Sequence, residues 1–219
     1  MKRILAAAAI VLCVCIPASA HRLDEYLQGT LISVEKDWMR AQIDLTPGVS
    51  VFPVLIADID TNGDGAISET ERHAYAGRVL RDLSISIDGH RLTPRLVSLA
   101  FPAVEEMKEG RGEIRIELDA ALPRGGPDRK LVFEDRHQSR IAAYQVNCLV
   151  PQDPDIRIAS QHRNYSQSFY ELSYVQTGAQ SAVPDFAGFT DSAMPLGALA
   201  LLLSVRLALL WGGRGRAKR

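Results

Sequence analysis

Six residues within a run of twelve offer oxygen atoms at a spacing that suits a hard divalent cation. Calcium takes six to eight oxygen ligands and tolerates irregular geometry. Side-chain oxygens would come from positions 1, 3, 5, 9 and 12 of residues 60–71, and position 7 would contribute its backbone carbonyl. The six candidate ligands are, in order, Asp60, Asn62, Asp64, Ala66, Ser68 and Glu71. The spacing therefore predicts Ca²⁺ as the cofactor.

The same residues also allow an explanation without a metal. Gly63 and Gly65 stand among Asp and Asn residues, which is typical of a surface turn. Ser68 and Glu71 are three positions apart and form the sequence of a helix capping box, in which Gln serves as well as Glu. The calcium hypothesis differs because it needs both carboxylate oxygens of Glu71.

Two helices are predicted on either side of this run. Apolar residues recur at helical spacing from Phe52 to Ile59, which predicts a helix over residues 51–59. A second helix is predicted over residues 68–83, where Tyr75, Val79, Leu80 and Leu83 share one face.

This helix–loop–helix pattern over residues 51–83 resembles the EF-hand family. The glycine at position 6, Gly65, permits the sharp turn of such a loop. Members of the family usually pair two loops, and no second loop occurs in this sequence. Ile67, at position 8, thus lacks its usual partner strand, so the resemblance implies a static calcium site rather than a calcium-driven switch.

The remaining central part of the chain is dominated by short stretches of alternating apolar and polar residues, which predict β-strands. Strands are predicted over residues 26–34, 38–46, 84–88, 113–119, 130–134, 144–150, 155–160 and 168–175. The first two are separated by a three-residue polar link and should form a hairpin. Strands of this length and spacing predict a mainly β protein, an antiparallel β-sandwich into which the helix–loop–helix is inserted.

The two ends of the chain have the composition of targeting segments. Residues 1–20 carry Lys2 and Arg3, then an apolar run, then Ala-Ser-Ala, which predicts a cleaved signal peptide. Residues 193–211 form a predicted transmembrane helix, and the basic residues 212–219 predict a cytoplasmic tail. Residues 176–192 are predicted as a linker. The domain at residues 21–175 would then lie in the periplasm, anchored to the inner membrane. An alternative is a sorting signal whose apolar stretch and basic tail are processed.

The charge distribution argues against nucleic acid as a partner. Seven of the 25 basic residues lie in the two predicted targeting segments, so 18 basic residues remain against 26 acidic ones, a net charge of −8. A nucleic-acid-binding protein needs a basic face. The partners predicted are the membrane, through one span, and an unidentified protein.

An enzymatic function is not predicted. The sequence contains no nucleophile elbow, paired-histidine helix, phosphate-binding loop or Cys-x-x-Cys motif. Asp135, His137 and Ser139 alternate, but on a strand they would form a row on one face instead of converging on a reacting atom.

A second metal hypothesis rests on the residue that would become the N-terminus after signal cleavage. The α-amine and imidazole of His21 could chelate Cu²⁺ or Ni²⁺, and a second histidine would strengthen the site. The candidates for that role are His73, His90, His137 and His162. The alternative is an ordinary exposed terminus with surface histidines.

Two weaker resemblances concern the chain as a whole. Its Ala-His start, single EF-hand-like loop and C-terminal span resemble a group of exported bacterial proteins of unassigned activity. The His21-Arg22-Leu23 start and following hairpin are also similar to extracytoplasmic domains of nickel/cobalt permeases. Taken together, the calcium loop and the two ends of the chain predict a calcium-binding accessory or interaction module at the membrane. The alternative function, centred on His21, is transition-metal binding or delivery.

Overall fold

The computed structural model describes residues 24–178, which contain ten strands and three helices. In chain order they are β1 (Tyr26–Val34), β2 (Trp38–Pro47), α1 (Phe52–Ile59), α2 (Glu69–Asp82), β3 (Leu83–Ile87), β4 (His90–Arg91), β5 (Arg95–Ala100), α3 (Val104–Lys108), β6 (Ile114–Ala121), β7 (Asp128–Asp135), β8 (Ala142–Cys148), β9 (Ile156–Arg163) and β10 (Phe169–Gln176).

The strands form two five-stranded sheets, so the prediction of a mainly β protein is confirmed. The first sheet has the order β5-β6-β2-β1-β8, and the second has the order β4-β3-β7-β10-β9. In β1 every second residue is buried, as alternation between an apolar and a polar face requires. Both sheets contribute buried side chains to one hydrophobic cluster. We call this pair of sheets the two-sheet body.

One strand pair departs from the expected antiparallel arrangement. β1 pairs antiparallel with β2 in the predicted hairpin, but it pairs parallel with β8 on its other edge. A parallel neighbour requires a long connection, because the chain must return to the starting end before the second strand begins. Here that connection includes most of the domain. Sequence alternation defines which face of a strand is buried but not the direction of its neighbour.

Three further elements differ from the sequence-based prediction. β4 and β5 were not predicted, because β4 has only two residues and the residues of β5 are mostly exposed. β10 ends at Gln176, whose side chain is buried and donates to the carbonyl of Lys36, so the first residue of the predicted linker belongs to the sheet.

The two predicted helices are confirmed as α1 and α2, and we call them together the helix pair. They lie between β2 and β3 in the chain. α1 buries Phe52, Leu55 and Ile59 in the common core, and α2 buries Tyr75, Ala76 and Val79. α2 ends at Asp82 and β3 begins at Leu83, so the helix passes into the sheet without a loop.

Several sequence-based predictions fall outside the described residues. These are the signal peptide at residues 1–20, His21, residues 179–192 of the linker, the transmembrane helix at residues 193–211 and the tail at residues 212–219. Within residues 24–178, no helix is both long enough and apolar enough to cross a membrane.

Candidate metal centre

The loop between the two helices is folded by bonds from its own acidic and amide side chains. We call residues 60–71 the acidic loop. Asp60 accepts the backbone N–H groups of Gly63 and Gly65, one on each carboxylate oxygen, at 2.8 and 2.9 Å. Asn62 Oδ1 accepts the N–H of Asp64, and Asp64 Oδ1 accepts the N–H of Ala66, both at 2.9 Å. These local bonds turn the chain repeatedly, as Asx turns do.

The backbone of the acidic loop explains its two glycines. Gly63 and Gly65 have φ values of +70° and +82°, a region that residues with a Cβ adopt only at a cost. Two positions later, Ile67 leaves the exposed loop and packs into the core with an exposure of 8%. The loop is thus tied to the core through Ile67.

Glu71 closes the acidic loop onto its own beginning. Its Oε1 accepts the backbone N–H groups of Thr61 and Asn62 and the Thr61 hydroxyl. Its Oε2 accepts the N–H of Ser68 at 3.0 Å and the Ser68 hydroxyl at 2.7 Å. The reciprocal bond from the Glu71 N–H to Ser68 Oγ completes a capping box at the start of α2.

These bonds govern the ionisation of Glu71. The backbone and hydroxyl donors of Ser68, followed by those of Thr61, stabilise the carboxylate and lower the pKa of Glu71 to about 2. The carboxylate is therefore retained well into the acid range. A charged group at the first turn of α2 also interacts favourably with the helix dipole.

The proposed calcium ligands of the acidic loop differ in whether their oxygens are free to bind the ion. Each oxygen of Asp60, Asn62 and Asp64 that accepts an N–H group retains a second lone pair, which is the donor set that calcium prefers. Each carboxylate oxygen of Glu71 accepts two or more hydrogen bonds. Glu71 would therefore have to give up some of these hydrogen bonds in order to bind the ion. Within residues 24–178, no group of three or more His, Cys, Asp or Glu side chains is arranged to hold a metal ion. The capping box and calcium thus compete for the carboxylate of Glu71.

A second polar site lies beneath α2 and was not predicted from the sequence. The hydroxyls of Tyr26 and Tyr75 are 2.6 Å apart, and the Tyr75 hydroxyl lies 3.0 Å from Nε2 of His137. Nδ1 of His137 lies 2.8 Å from Oδ2 of Asp82. We call these four residues the tyrosine–histidine chain. Tyr26, Tyr75 and His137 are buried, whereas Asp82 reaches solvent.

The backbone around His137 is also fixed by side chains. The carbonyl of His137 accepts the Gln28 amide and the Tyr144 hydroxyl, and its N–H donates to Oδ1 of Asp135 at 2.8 Å. His137 lies in a turn after β7 and not on a strand. The expected row of Asp135, His137 and Ser139 on one strand face is therefore wrong, and Ser139 is exposed.

Asp135 carries a buried carboxyl group with one oxygen lacking a protein partner. Its Oδ2 has no hydrogen-bonding neighbour within the protein, and neither does the nearby amide oxygen of Gln28. Burial disfavours the charged form and raises the pKa of Asp135 to about 7, although the N–H of His137 partly opposes this. The carboxyl therefore takes up a proton near neutral pH.

The transition-metal hypothesis at His21 stays a prediction, because the described residues do not test it. His73, His90 and His162 are exposed on different elements, and His21 lies outside the described residues. The expectation that all the histidines lie on the surface is wrong for His137, which is 2% exposed.

Comparison with known proteins gives no match. No family model, curated protein or solved structure is significantly similar to this chain. The resemblance to the EF-hand family therefore stays a prediction.

Replacing Glu71 by Gln should destabilise the protein even without calcium. A Gln side chain can accept at only one end, so its amide N–H₂ would face backbone N–H groups of Ser68 or Thr61. This changes the sequence-based expectation that Gln would cap equally well. Because the pKa of Glu71 is lowered, its stabilising effect is present above the ordinary value near 4.5 and is lost as the pH falls towards 2.

We expect Glu71→Gln to lower the urea midpoint at pH 6 in the presence of a chelator, with a smaller difference from wild type at pH 3. Glu69→Gln is the matched control, because Glu69 lies in the same helical turn with its side chain 73% exposed. Equal midpoints for the two variants at pH 6 would contradict the role assigned to Glu71.

Replacing Asp135 by Asn should stabilise the protein at alkaline pH. The raised pKa of Asp135 means that its stabilising contribution is complete below about pH 4 and is lost as the pH rises through about 7. Asn keeps an acceptor for the N–H of His137 but never becomes charged. At pH 8 the gain should be of the order of 1.4 kcal/mol for each unit by which the pKa is raised.

Urea unfolding at pH 5 and pH 8 measures this effect, and the difference at pH 5 should be less than half of that at pH 8. Asp128→Asn is the control, because Asp128 lies on the same strand and is exposed. A wild-type stability that is equal to that of Asp135→Asn at both pH values would show that Asp135 does not carry a buried charge.

Proposed function

We propose that this chain is an extracytoplasmic calcium-binding protein, anchored to the inner membrane and acting as an accessory or interaction module. The observation that carries the proposal is the folding of the acidic loop. Four bonds to backbone N–H groups gather the side-chain oxygens of Asp60, Asn62 and Asp64 into one turn.

The residues that would hold the ion are Asp60, Asn62, Asp64, the carbonyl of Ala66, Ser68 and Glu71. When bound, the ion supplies a positive charge that links the start of the loop to the first turn of α2. The loop and the helix are both attached to the core, because Ile67 of the loop packs there and α2 buries Tyr75 and Val79. Calcium would therefore stabilise the attachment of the helix pair to a β-sandwich body.

The location at the membrane is supported by the sequence of the two ends. A signal peptide at residues 1–20 and a span at residues 193–211 followed by basic residues independently indicate the same topology. The acidic domain between them would face an extracytoplasmic space, where calcium sites of modest affinity are common.

Calcium should raise the melting temperature of the protein, and Asp64→Asn should reduce the effect. With a Kd of about 10⁻⁴ M, 1 mM Ca²⁺ would add ~1.4 kcal/mol, or a few degrees. Asn at position 64 can still accept the N–H of Ala66, so the loop is kept while a charged ligand is lost.

Glu69→Gln removes the same charge from the acidic loop without removing a proposed ligand, so its calcium response should equal that of wild type. Thermal melting in chelator and in a series of Ca²⁺ concentrations measures this. A wild-type melting temperature that does not change over the whole series would leave the acidic loop as a turn with a capped helix.

The topology is tested by fusing a reporter that is active only outside the cytoplasm. Fusion after residue 185 should give activity, and fusion after residue 219 should give none, because the tail would lie inside. Activity at both positions would contradict the anchor, and a mature protein lacking the tail would favour processing.

A further inference from the structure

The tyrosine–histidine chain connects both sheets with the helix pair. Tyr26 belongs to β1 of the first sheet, and His137 follows β7 of the second sheet. Tyr75 and Asp82 belong to α2, on opposite sides of His137. Both ring nitrogens of His137, which follows a strand of the two-sheet body, therefore bond to α2.

The hydrogen-bond directions in this chain follow from elementary rules. An ionised carboxylate only accepts, so Nδ1 of His137 donates to Asp82. A neutral imidazole with a proton on Nδ1 must accept at Nε2, so Tyr75 donates to His137. The oxygen of Tyr75 then accepts from Tyr26. Every hydroxyl proton has an acceptor only while His137 is neutral.

Protonation of His137 would reverse this order. A proton on Nε2 turns that atom into a donor, so Tyr75 would have to accept from it and donate to Tyr26. The Tyr26 hydroxyl is completely buried, and Tyr75 is its partner in the structure. The proton of Tyr26 would then lose its acceptor, and an unpaired buried donor is costly.

We propose that His137 is a pH-sensitive latch, which holds the helix pair on the two-sheet body while it is neutral and lets the helix pair open locally when it is protonated. The opening is local because α2 continues directly into β3 and α1 follows closely after β2. The latch does not require calcium, because none of its four residues is a proposed calcium ligand.

The charged and titratable groups around His137 have opposing effects on its pKa. Asp82 and Asp58 favour its protonation, whereas burial and Arg78 oppose it, and burial is the largest effect. The pKa of His137 is therefore lowered. Those groups come from α1, α2, β1, β7 and β8, and they are Asp58, Tyr75, Arg78, Asp82, Tyr26, Asp135 and Tyr144.

The sign of the pH dependence follows from the lowered pKa. The contribution of His137 to stability is complete above the ordinary pKa near 6.5, and it is lost as the pH falls below that value. Asp135 titrates in the same range with the opposite sign, because its pKa is raised. An experiment on the latch therefore needs Asp135 replaced by Asn, which cannot titrate.

Hydrogen exchange tests the latch in the full chain carrying Asp135→Asn. After correction for intrinsic rates, protection of the amides of α2 should fall about fivefold as the pH decreases from 6.5 to 5.5. Protection of β2, which is paired on both edges, should not change. Addition of His137→Gln should abolish the fall, since Gln also offers a donor group and an acceptor atom but does not titrate.

A fall of equal size with and without His137→Gln, or no fall in either protein, would overturn the proposal. A second measurement, on the wild-type protein, does not depend on the stability of the double variant. The NMR titration of the His137 imidazole should have its midpoint below the ordinary histidine value near 6.5, with the Tyr75 signals shifting at the same pH. A midpoint at or above that value would also overturn the latch.

Discussion

The bond from His137 to Asp82 determines the direction of the buried hydrogen bonds beneath α2. Because Nδ1 is committed as a donor, Nε2 can only accept, and the two tyrosine hydroxyls must point the same way along the chain. The carbonyl of the same residue accepts Gln28 and Tyr144, which brings β1 and β8 to the turn. One side chain and its backbone therefore orient contacts from both sheets and from the helix pair.

The sequence was sufficient to predict the helix pair, the first hairpin and most strands, because each has a regular apolar period. It was not sufficient for β5, whose exposed residues show no such period, or for the parallel pairing of β1 with β8. The acidic loop could be recognised because its polar residues are adjacent in the chain. The tyrosine–histidine chain could not, because Tyr26, Tyr75 and His137 are brought together only by the tertiary fold.

The acidic loop shows that one motif can satisfy two physical requirements. The oxygens of Glu71 that would bind an ion also satisfy the free N–H groups at the start of α2 and at the start of the loop. In the sequence, the helix cap and the calcium site are two alternative explanations of the same residues. The geometry makes them competitors for the same two atoms, so the affinity of the loop for an ion depends on how strongly the helix start holds its own carboxylate.

The parallel pairing of β1 with β8 has a consequence for the order of folding. Tyr26 lies opposite Ala142, more than a hundred residues further along the chain. The first strand to be synthesised can form its hairpin with β2 at once, but its other edge stays unpaired until β8 has emerged. Contacts between such distant segments slow folding, because a large loop must close before they form. During that interval the exposed edge of β1 can pair with other chains, so the nascent protein is most prone to aggregation before β8 arrives.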